Sequence, residues 1–413
     1  MHTALSPEFE NNEIAKEAQA LISKCVHCGF CNATCPTYLL LGNELDGPRG
    51  RIYLMKEVFE GGPVTAITQQ HLDRCLTCRA CETTCPSGVQ YSQLLDLGRR
   101  VVDSKVGRSF AEKTLRKGLV ELVTKPTLFK QVHRIGKAVK PLLPAHLKAK
   151  IHTDHESTAN TLPTTQHERK MVVLSGCVQP TLAPATNISA ARVLDHLGIS
   201  LLTVAEAGCC GAVRHHAGDK DGAKDNARNN IDAWWPLIQS QKIEAIVMTA
   251  SGCGAEVQDY SRLLADDPAY AEKAVQISEL CLDISVVVQQ ELIKTESLPQ
   301  LKQPIKVAVQ EPCTFQHALR KKASISHLLT QLGYETTPVA DGHLCCGSAG
   351  TYSILQPTIS QQLRTNKVSN LMAGTPALIA TANVGCQSHL QETSPVPVQH
   401  WIELVDKVYS QSN

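Results

Sequence analysis

The chain has 413 residues, a net charge of +1 and 43% hydrophobic residues. At about 150 residues per domain, this length corresponds to roughly three domain-sized units. The near-neutral charge excludes a globally basic nucleic-acid-binding protein, and the hydrophobic content excludes a largely disordered chain. The 17 cysteines do not resemble a small secreted disulfide scaffold, and in a long chain they indicate metal or redox chemistry.

The N-terminal segment MHTALSPEFENNEIAKEAQ is polar and slightly acidic. It lacks the basic start and the apolar stretch of a secretory signal peptide. The sequence contains no run of about 18 apolar residues, so we expect no membrane-spanning helix. These features predict a cytoplasmic protein.

Two cysteine runs with the same spacing come first along the chain. They are Cys25-x2-Cys28-x2-Cys31-x3-Cys35-Pro36 and Cys75-x2-Cys78-x2-Cys81-x3-Cys85-Pro86. This is the spacing of two-cluster ferredoxins, in which the fourth cysteine of each run ligates the other cluster. The runs therefore predict two [4Fe-4S] clusters, the first held by Cys25, Cys28, Cys31 and Cys85 and the second by Cys75, Cys78, Cys81 and Cys35.

Zinc and disulfide bonds fit these runs less well. A zinc site takes one tetrahedral set of four ligands and does not use this spacing, and disulfides are disfavoured in a cytoplasmic protein. The 39 residues between Cys35 and Cys75 include a helical pattern, PRGRIYLMKEVFEGG. We therefore expect a helical rather than a β-hairpin ferredoxin domain. Arg49 and Arg51 begin this helix, and they either neutralise cluster charge or are ordinary surface arginines.

The cysteine-free stretch that follows contains a basic amphipathic pattern, LFKQVHRIGKAVKPLL. Its apolar positions are Leu128, Val132, Ile135, Val139 and Leu142, and its basic positions are Lys130, Arg134, Lys137 and Lys140. Such a helix packs on its own protein or a partner subunit, or it lies on an anionic membrane surface. Pro141 and Pro144 end the pattern, and the polar stretch TDHESTANTLPTTQHERK predicts a linker.

The C-terminal region repeats itself. MVVLSGCVQPT at 171 resembles IKVAVQEPCTF at 305, and the segments around two Cys-Cys-Gly motifs also resemble each other. The offset is 136 residues from Cys177 to Cys313, from Cys209 to Cys345 and from Cys210 to Cys346, and it is 133 residues from Cys253 to Cys386. Such steady offsets indicate a duplication.

Each repeat alternates short apolar runs with helical segments. The runs include 172–174, 246–248, 307–309 and 378–380, and helical patterns cover 187–197 and 222–239. This alternation predicts a small parallel α/β unit in each repeat. In such sheets ligands bind outside the carboxyl ends of the strands, and the cysteines follow those ends.

Each repeat contains Cys-x31-Cys-Cys-Gly and a later lone cysteine. The four cysteines are Cys177, Cys209, Cys210 and Cys253 in the first repeat and Cys313, Cys345, Cys346 and Cys386 in the second. Adjacent cysteines rarely form a disulfide with each other, whereas neighbouring thiolates can hold one metal centre, and the glycine permits a tight backbone beside them. The residues leave open a further iron–sulfur centre, another metal, and dithiol redox or structural cysteines.

The remaining features are weaker. Cys281 lies outside the repeated pattern and is expected to be a buried small residue. His215 and His216 follow the first Cys-Cys-Gly and are candidates for a ligand or proton-transfer role, or for surface residues. The sequence contains no G-x-G-x-x-G motif, Walker loop, Ser-His-Asp order or HExxH motif. We therefore expect no flavin or nucleotide site in this chain, and no residue is assigned a catalytic role.

The repeats resemble the cysteine-rich CCG domains of heterodisulfide-reductase-like subunits. In that family the last element is Cys-x-x-Cys, and some members bind a non-cubane [4Fe-4S] cluster. This sequence departs from the motif, because Ala250 and Asn383 replace the first cysteine of that element. Four cysteines per repeat are still enough for one cluster, but the five-cysteine set is incomplete.

From about residue 20 to 405 the chain is similar to the iron–sulfur subunits of bacterial glycolate oxidases. The resemblance is carried by CVHCGFCNATCPTYLLLGNELDGPRGRIYLMKEV, HLDRCLTCRACETTCPSGVQY, NNIDAWWP, TASGCGA, HLCCGSAGTY and TANVGCQSHL. It implies an electron-transfer subunit, inactive alone, whose FAD-binding partner subunits oxidise glycolate to glyoxylate, with D-lactate to pyruvate as an alternative reaction. It also implies transfer to a membrane quinone, FAD only on the partner subunits, and a peripheral position on the inner face of the cell membrane.

These observations predict a multidomain fold, with an N-terminal α-helical two-cluster ferredoxin domain followed by two duplicated α/β CCG repeats. The expected boundaries are 1–100 for the ferredoxin domain, 101–170 for the basic helical segment and linker, 171–300 for the first repeat and 301–413 for the second. Two other functions fit the same residues. One is the iron–sulfur subunit of a D-lactate or glycerol-3-phosphate dehydrogenase, and the other is a non-catalytic cluster-based redox sensor. No DNA-binding element is evident, and no nucleic-acid partner is expected.

Overall fold

The structure, a computed structural model, describes residues 1–140, 161–294, 298–321 and 324–412. Pro141, Leu142 and Pro144 of the basic segment and residues 153–160 of the expected linker lie outside these ranges. The chain forms two compact units. The first comprises Met1–Gly118 with His216–Gly218 and His343–Lys367, and the second comprises the rest. Because the units are assembled from separate segments, the domain boundaries expected from the sequence stay a prediction.

The first unit is helical, and its described residues contain no strand. Its helices are Glu13–Ser23, Pro36–Leu41, Pro48–Phe59, Ala66–Asp73, Ala80–Thr84, Tyr91–Val106, the start of Phe110–Thr124, Tyr352–Leu355 and the start of Pro357–Met372, with 3-10 turns at Phe30–Thr34 and Glu44–Asp46. The predicted helix between the two cysteine runs is Pro48–Phe59, which begins at a proline whose missing N–H has no helical partner at that position. Its Met55 and Phe59 share one core with Leu94 and Leu95, so the prediction of a helical ferredoxin domain is confirmed.

The second unit contains two four-stranded sheets with the same topology. The first sheet consists of β1 (Arg169–Val173), β2 (Ile199–Thr203), β3 (Ile243–Met248) and β4 (Cys281–Asp283), and the second of β5 (Lys306–Gln310), β6 (Glu335–Thr337), β7 (Leu378–Thr381) and β8 (Val398–His400). The strand orders are β2-β1-β3-β4 and β6-β5-β7-β8, and every pairing is parallel. The repeated order confirms the duplication and the α/β class predicted for both repeats.

Helices alternate with these strands. They are Pro126–Val139, Gln179–Leu182, Pro184–His196, Ala212–His216, Lys220–Ser240, Ser251–Gln258, Tyr260–Leu263, Ala271–Leu280, Ile284–Leu292, Ser324–Gln331, Val384–Gln391 and Trp401–Ser412, with a π-helical turn at Thr314–Ala318. The helices predicted at 187–197 and 222–239 are therefore confirmed. Arg169 and Lys170, the last two residues of the expected linker, already belong to β1.

One hydrophobic core joins the two sheets. It includes Met171, Val247, Val307, Ala380 and Trp401. Helices Pro184–His196 and Trp401–Ser412 meet beside it, where Arg192 Nε donates to Asp406 Oδ1 at 2.9 Å and Ser189 Oγ donates to Asp406 Oδ2 at 3.0 Å. Each repeat therefore buries apolar surface of the other, which makes the duplication one packed unit.

Helix Pro126–Val139 carries its apolar residues on the outside. None of its residues is buried, and Leu128, Val132 and Ile135 are 38%, 43% and 63% exposed. The helix contacts Gln179–Leu182 of the same unit, so it packs in part on its own protein, but this contact leaves these side chains exposed. Among the described residues, none of the helices has the length and apolar character needed to cross a bilayer.

Candidate metal centres

The two cysteine runs of the first unit fold into the same turn. His27 and Gly29 in the first run have φ of 57° and 83°, and Thr77 and Arg79 in the second run have φ of 53° and 62°. These left-handed residues curl the chain around a common point. Left-handed backbone at a residue other than glycine is strained, and such strain is concentrated at functional sites. The same local geometry in both runs therefore supports a shared ligand-binding role.

Two cavities gather the eight cysteines of these runs into two groups of four. The first cavity is lined by Cys25, Cys28, Cys31 and Cys85, and Cys81 also borders it. The second cavity is lined by Cys35, Cys75, Cys78 and Cys81. Each group contains three cysteines of one run and the fourth of the other. Tyr91 and Cys81 border both cavities, so the two groups lie side by side.

The thiols within each cavity influence one another. Burial, and after it the three other cysteines of the first cavity, raise the pKa of Cys31 to about 11. Burial and the neighbouring thiols of the second cavity also raise the pKa of Cys81. Several thiolates held this close repel one another, and a cationic group among them relieves the repulsion. A metal centre bound by these sulfurs would relieve the repulsion.

The donor set of each cavity fits an iron–sulfur cluster. Four cysteine sulfurs are the ligands of a [4Fe-4S] cluster, and soft thiolates select such clusters over hard cations. Hydrogen bonds also reach the sulfurs of the second cavity. The N–H of Thr77 donates to Cys75 Sγ at 3.5 Å, and the Tyr91 hydroxyl donates to the same sulfur at 3.9 Å. Such bonds stabilise a negatively charged cluster.

The four cysteines of the first repeat come together at the carboxyl ends of three strands. Cys177 follows β1, Cys209 and Cys210 follow β2, and Cys253 follows β3. Hydrogen bonds from Cys177 and then Cys210 lower the pKa of Cys209, and Cys210 is also hydrogen-bonded to Cys253. The predicted location at the strand ends is confirmed. The site offers four sulfur donors, which fit a further cluster as well as another thiophilic metal.

Both Cys-Cys-Gly motifs form the same tight turn, which requires glycine. Gly211 and Gly347 have φ of 96° and 91°. The N–H of Gly211 donates to Cys209 Sγ at 3.5 Å, and that of Gly347 donates to Cys345 Sγ at 3.4 Å. A Cβ atom at Gly347 would lie only 2.6 Å from the carbonyl oxygen of Ser360. The expected tight backbone beside each cysteine pair is therefore confirmed.

Two buried polar residues hold the first Cys-Cys-Gly turn in place. Asn230 Oδ1 accepts the N–H of Gly208 at 2.8 Å, and its Nδ2 donates to the carbonyl of Cys209 at 2.9 Å. The Tyr260 hydroxyl donates to the carbonyl of Cys210 at 2.7 Å and accepts from Asn230 Nδ2 at 3.0 Å. Sequence reasoning assigned no role to either residue. Asn230 lies in the segment NNIDAWWP, which carried the family resemblance, and that was its only signal.

The histidines after the first Cys-Cys-Gly differ from each other. His216 is exposed. The side chain of His215 is only 10% exposed, and its Nδ1 lies 2.9 Å from Glu256 Oε1. The surface interpretation is therefore wrong for His215, which joins helix Ala212–His216 to the helix that contains Cys253. Cys281 is buried in β4, as predicted, with its Sγ 3.8 Å from the carbonyl oxygen of Gly254.

The cysteines of the second repeat fall in both units. Cys313 and Cys386 belong to the second unit, and Cys345 and Cys346 belong to the first. Asn383 Nδ2 donates to Cys386 Sγ at 3.5 Å. Asn383 stands where the CCG motif has a cysteine, so this position contributes an N–H donor to a sulfur rather than a thiolate.

Comparisons with known proteins agree with this architecture. The family model of the 4Fe-4S dicluster domain matches residues 21–89, and that of the cysteine-rich domain matches 171–258 and 307–391. The chain is 50% identical to the glycolate oxidase iron–sulfur subunit of Escherichia coli K12, over 98% of this chain and 99% of that protein. It is 31% identical to the probable glycolate oxidase iron–sulfur subunit of Bacillus subtilis 168, over 92% of this chain and 90% of that protein.

Two further comparisons are more distant. Lactate utilization protein A of an Exiguobacterium species is 24% identical, over 57% of this chain and 96% of that protein. A crystal structure of a hypothetical protein from Helicobacter pylori has a TM-score of 0.52 at 10% identity, covering 98% of this chain and 74% of that chain, and its likeness concerns the fold alone. With the near-full-length identity to the Escherichia coli protein and matches to both domain models, the chain belongs to the family of glycolate oxidase iron–sulfur subunits.

Proposed function

We propose that this chain is the electron-transfer subunit of a flavin-dependent glycolate oxidase complex and is inactive on glycolate alone. It takes electrons from FAD-binding partner subunits and passes them toward a quinone. The observation that carries the proposal is the pair of adjacent cysteine-lined cavities in a chain 50% identical to a glycolate oxidase iron–sulfur subunit. Cys25, Cys28, Cys31 and Cys85 hold one [4Fe-4S] cluster in this proposal, and Cys35, Cys75, Cys78 and Cys81 hold the other.

The division of labour follows from electron counting. Oxidation of glycolate to glyoxylate releases two electrons and two protons, and a flavin accepts both electrons together. Iron–sulfur clusters supply one-electron redox chemistry when bound. A chain that holds two neighbouring clusters therefore separates an electron pair into single steps. This chain's own residues bind the clusters, limit their contact with water and set their surrounding charge.

A substitution in the second cavity tests the proposal in the assembled complex. We expect Cys78→Ser to abolish quinone reduction while the flavin is still reduced by glycolate, because the break lies downstream of the flavin. The matched control is Cys281→Ser, which replaces a buried cysteine of β4 outside both cavities. Stopped-flow absorbance follows flavin reduction, and a quinone-analogue assay follows the acceptor. Normal quinone reduction by Cys78→Ser would refute electron transfer through the cluster of the second cavity.

The CCG cysteines make a further centre part of this proposal. The first repeat offers Cys177, Cys209, Cys210 and Cys253, whose thiols are hydrogen-bonded in a chain, and the second repeat contains Cys313, Cys345, Cys346 and Cys386. Iron and acid-labile sulfide per chain, measured on protein purified without oxygen, decide the number. About eight of each corresponds to two cubanes only, and about twelve or more corresponds to an additional cluster in the repeats.

A different donor substrate is the second candidate, because a relative named lactate utilization protein A covers 57% of this chain. Substrate specificity then resides on the flavin-binding partner subunit. Purification through a tag on this chain, followed by assays with glycolate, D-lactate and glycerol 3-phosphate, identifies the donor. A redox sensor would instead leave dehydrogenase turnover unchanged when a cysteine of either cavity is replaced.

The location proposed for the complex is the inner face of the cell membrane. The support is helix Pro126–Val139, whose apolar residues are exposed beside Lys130 and Arg134, a pattern that suits an anionic lipid surface. We expect the complex to sediment with vesicles that contain phosphatidylglycerol and less with neutral vesicles. Reversing Lys130 and Arg134 to glutamate should release it, whereas reversing the exposed Lys113 and Lys117 of the preceding helix should not. Unchanged sedimentation of the first variant would assign the helix to subunit packing.

A further inference from the structure

The second cavity has a cation buried in its wall. Arg51 lines this cavity together with Cys35 and Cys75, and its side chain is 1% exposed. Its Nε donates to the carbonyl of His71 at 2.7 Å, and both of its terminal nitrogens lie 3.2 Å from Thr37 Oγ1. The guanidinium is therefore held in one orientation by neutral acceptors, and it keeps a full positive charge away from water.

One buried carboxylate serves this cation and its neighbours. Asp46 Oδ1 lies 3.6 Å from Arg51 Nη2, Asp46 Oδ2 accepts from Arg74 Nη1 at 2.9 Å, and His71 Nδ1 is 2.9 Å from Asp46 Oδ1. A single negative charge is thus shared between two arginines. Arg99 adds another cation, because it donates to the carbonyl of Cys75 at 2.9 Å. Arg79, which also lines the cavity, is paired with Glu82, so the arginines outnumber the carboxylates around the second cavity.

The first cavity has a different environment. Its arginine is Arg49, whose side chain is 35% exposed and whose Nε pairs with Glu44 Oε1 at 2.6 Å. The ammonium group of Met1 donates to the carbonyl of Cys25 at 2.6 Å, so the first cavity also has a cation at its backbone, but among the described residues it has no buried arginine in its wall. An arginine that is one-third exposed and individually paired exerts a weak, water-screened field on the cavity. Arg49 and Arg51 are two residues apart in one helix, yet they present very different fields to the two sites.

Adding an electron to a cluster makes it more negative. Burial alone opposes reduction, since a more highly charged cluster loses more hydration. A desolvated cation beside the cluster favours reduction, and its effect is strongest where water is excluded. We propose that Arg51 raises the reduction potential of the cluster held by Cys35, Cys75, Cys78 and Cys81, so that electrons collect there rather than on the cluster of the first cavity. This inference rests on the proposed function.

The position of Tyr352 indicates where electrons that collect on this cluster go next. Its hydroxyl donates to the carbonyl of Arg74, the residue before Cys75, at 2.9 Å. Cys345 and Cys346, which precede Tyr352 in the sequence, belong to the same unit as the second cavity. In the proposed path, that pair is the next acceptor for an electron on this cluster, because Tyr352 joins its segment to the residue before Cys75.

Potentiometric titration of the cluster-loaded full chain, followed by electron paramagnetic resonance, tests the inference. Arg51→Gln should lower one of the two reduction potentials, changing the ratio of reduced to oxidised cluster at a fixed potential by at least tenfold, which is 59 mV for one electron. Arg51→Lys should retain most of the native value, because it keeps the charge. Asp46→Asn should shift the same potential upward, since it removes the shared negative charge.

Arg49→Gln is the matched control, and we expect it to move the other potential by less than the Arg51→Gln shift. Iron and sulfide content equal to that of the native chain shows that a variant is correctly loaded. If Arg51→Gln does not fold, the upward shift of Asp46→Asn carries the test. The role of Arg51 would be overturned if both reduction potentials stay unchanged in Arg51→Gln and Asp46→Asn. It would also be overturned if these two variants shift the same potential in the same direction. A native chain without two reducible clusters would instead refute the proposed function.

Discussion

Tyr352 donates its hydroxyl hydrogen to the carbonyl oxygen of Arg74 at 2.9 Å, although the two residues are 278 positions apart. Arg74 immediately precedes the cysteine run of the second cavity, and Tyr352 follows the Cys345–Cys346 pair. Both residues belong to the first compact unit, which includes His343–Lys367. A segment of the second CCG repeat is thus built into the same unit as the ferredoxin domain.

Removing this hydrogen bond should destabilise the first unit. We expect Tyr352→Phe to lower the free energy of unfolding by about 1–2 kcal/mol, because the carbonyl of Arg74 loses a buried donor. Chemical denaturation of the cluster-loaded chain measures the change. Tyr53→Phe, at a side chain that is 44% exposed, should change stability by less than about 0.5 kcal/mol. Equal effects of the two substitutions would contradict a specific role for the Tyr352 hydroxyl.

Asn230 and Tyr260, which hold the first Cys-Cys-Gly turn, should behave as an energetically coupled pair. Asn230→Ala removes three hydrogen bonds, two of them buried, and should cost about 2–4 kcal/mol, and Tyr260→Phe should cost about 1–2 kcal/mol. Because the two residues bond to each other, the double variant should lose less than the sum. Denaturant titration of the four proteins gives the coupling energy. Strict additivity would mean that the residues act independently.

The turn glycine of the second repeat should tolerate no side chain. We expect Gly347→Ala to destabilise the protein by more than about 2 kcal/mol, because its φ of 91° is unfavourable for alanine and its Cβ would lie 2.6 Å from the Ser360 carbonyl oxygen. Gly42→Ala is the control, since Gly42 has φ of 61° but no atom within 4 Å of the Cβ position, and it should cost about 1 kcal/mol. Thermal unfolding of both variants measures the difference, and equal losses would exclude the steric contribution.

A buried carboxyl between the two repeats should make stability depend on pH. Burial raises the pKa of Glu403 to about 7 from its ordinary 4.5, although Thr186 Oγ1 donates to it at 2.8 Å. The folded state therefore holds the proton more tightly than the unfolded state. Its contribution is complete below about pH 4.5 and is lost as the pH rises through 7. Glu403→Gln should match the native chain at pH 4 and exceed its stability at pH 8, by on the order of 2 kcal/mol.

Glu291 should make stability depend on pH in the opposite direction to Glu403. Two hydrogen bonds from Arg169 lower its pKa to about 2, so its contribution is present above pH 4.5 and is lost as the pH falls toward 2. Glu291→Gln should therefore be less stable than the native chain at pH 7. Unfolding temperatures of both variants across this pH range measure the two signs, and parallel pH profiles for both variants would disprove the assignments.

The local features of the metal centres were predictable because ligand spacing is a property of a short segment. The ferredoxin spacing predicts that Cys85 joins the first run and Cys35 the second, as the lining of the two cavities shows. Left-handed residues at His27 and Thr77 form the turns within the two runs. The duplication and the strands β1, β3, β5 and β7 were equally readable from their apolar runs. The outer strands β2, β4, β6 and β8 were not identified, since they are short or only partly buried.

The sequence by itself therefore determined the kind of metal chemistry, the helical and α/β parts of the fold, and the need for glycine after each cysteine pair. Tertiary structure decided which polar side chains act on those sites. Arg49 and Arg51 are the same residue type, two positions apart in the sequence. Only packing buries Arg51 beside Asp46 and leaves Arg49 partly exposed to water. Asn230 likewise hydrogen-bonds to Cys209, 21 residues away in the sequence, and Tyr260 hydrogen-bonds to Cys210, 50 residues away. Burial and long-range hydrogen bonding depend on the folded chain as a whole, and a local pattern does not encode them.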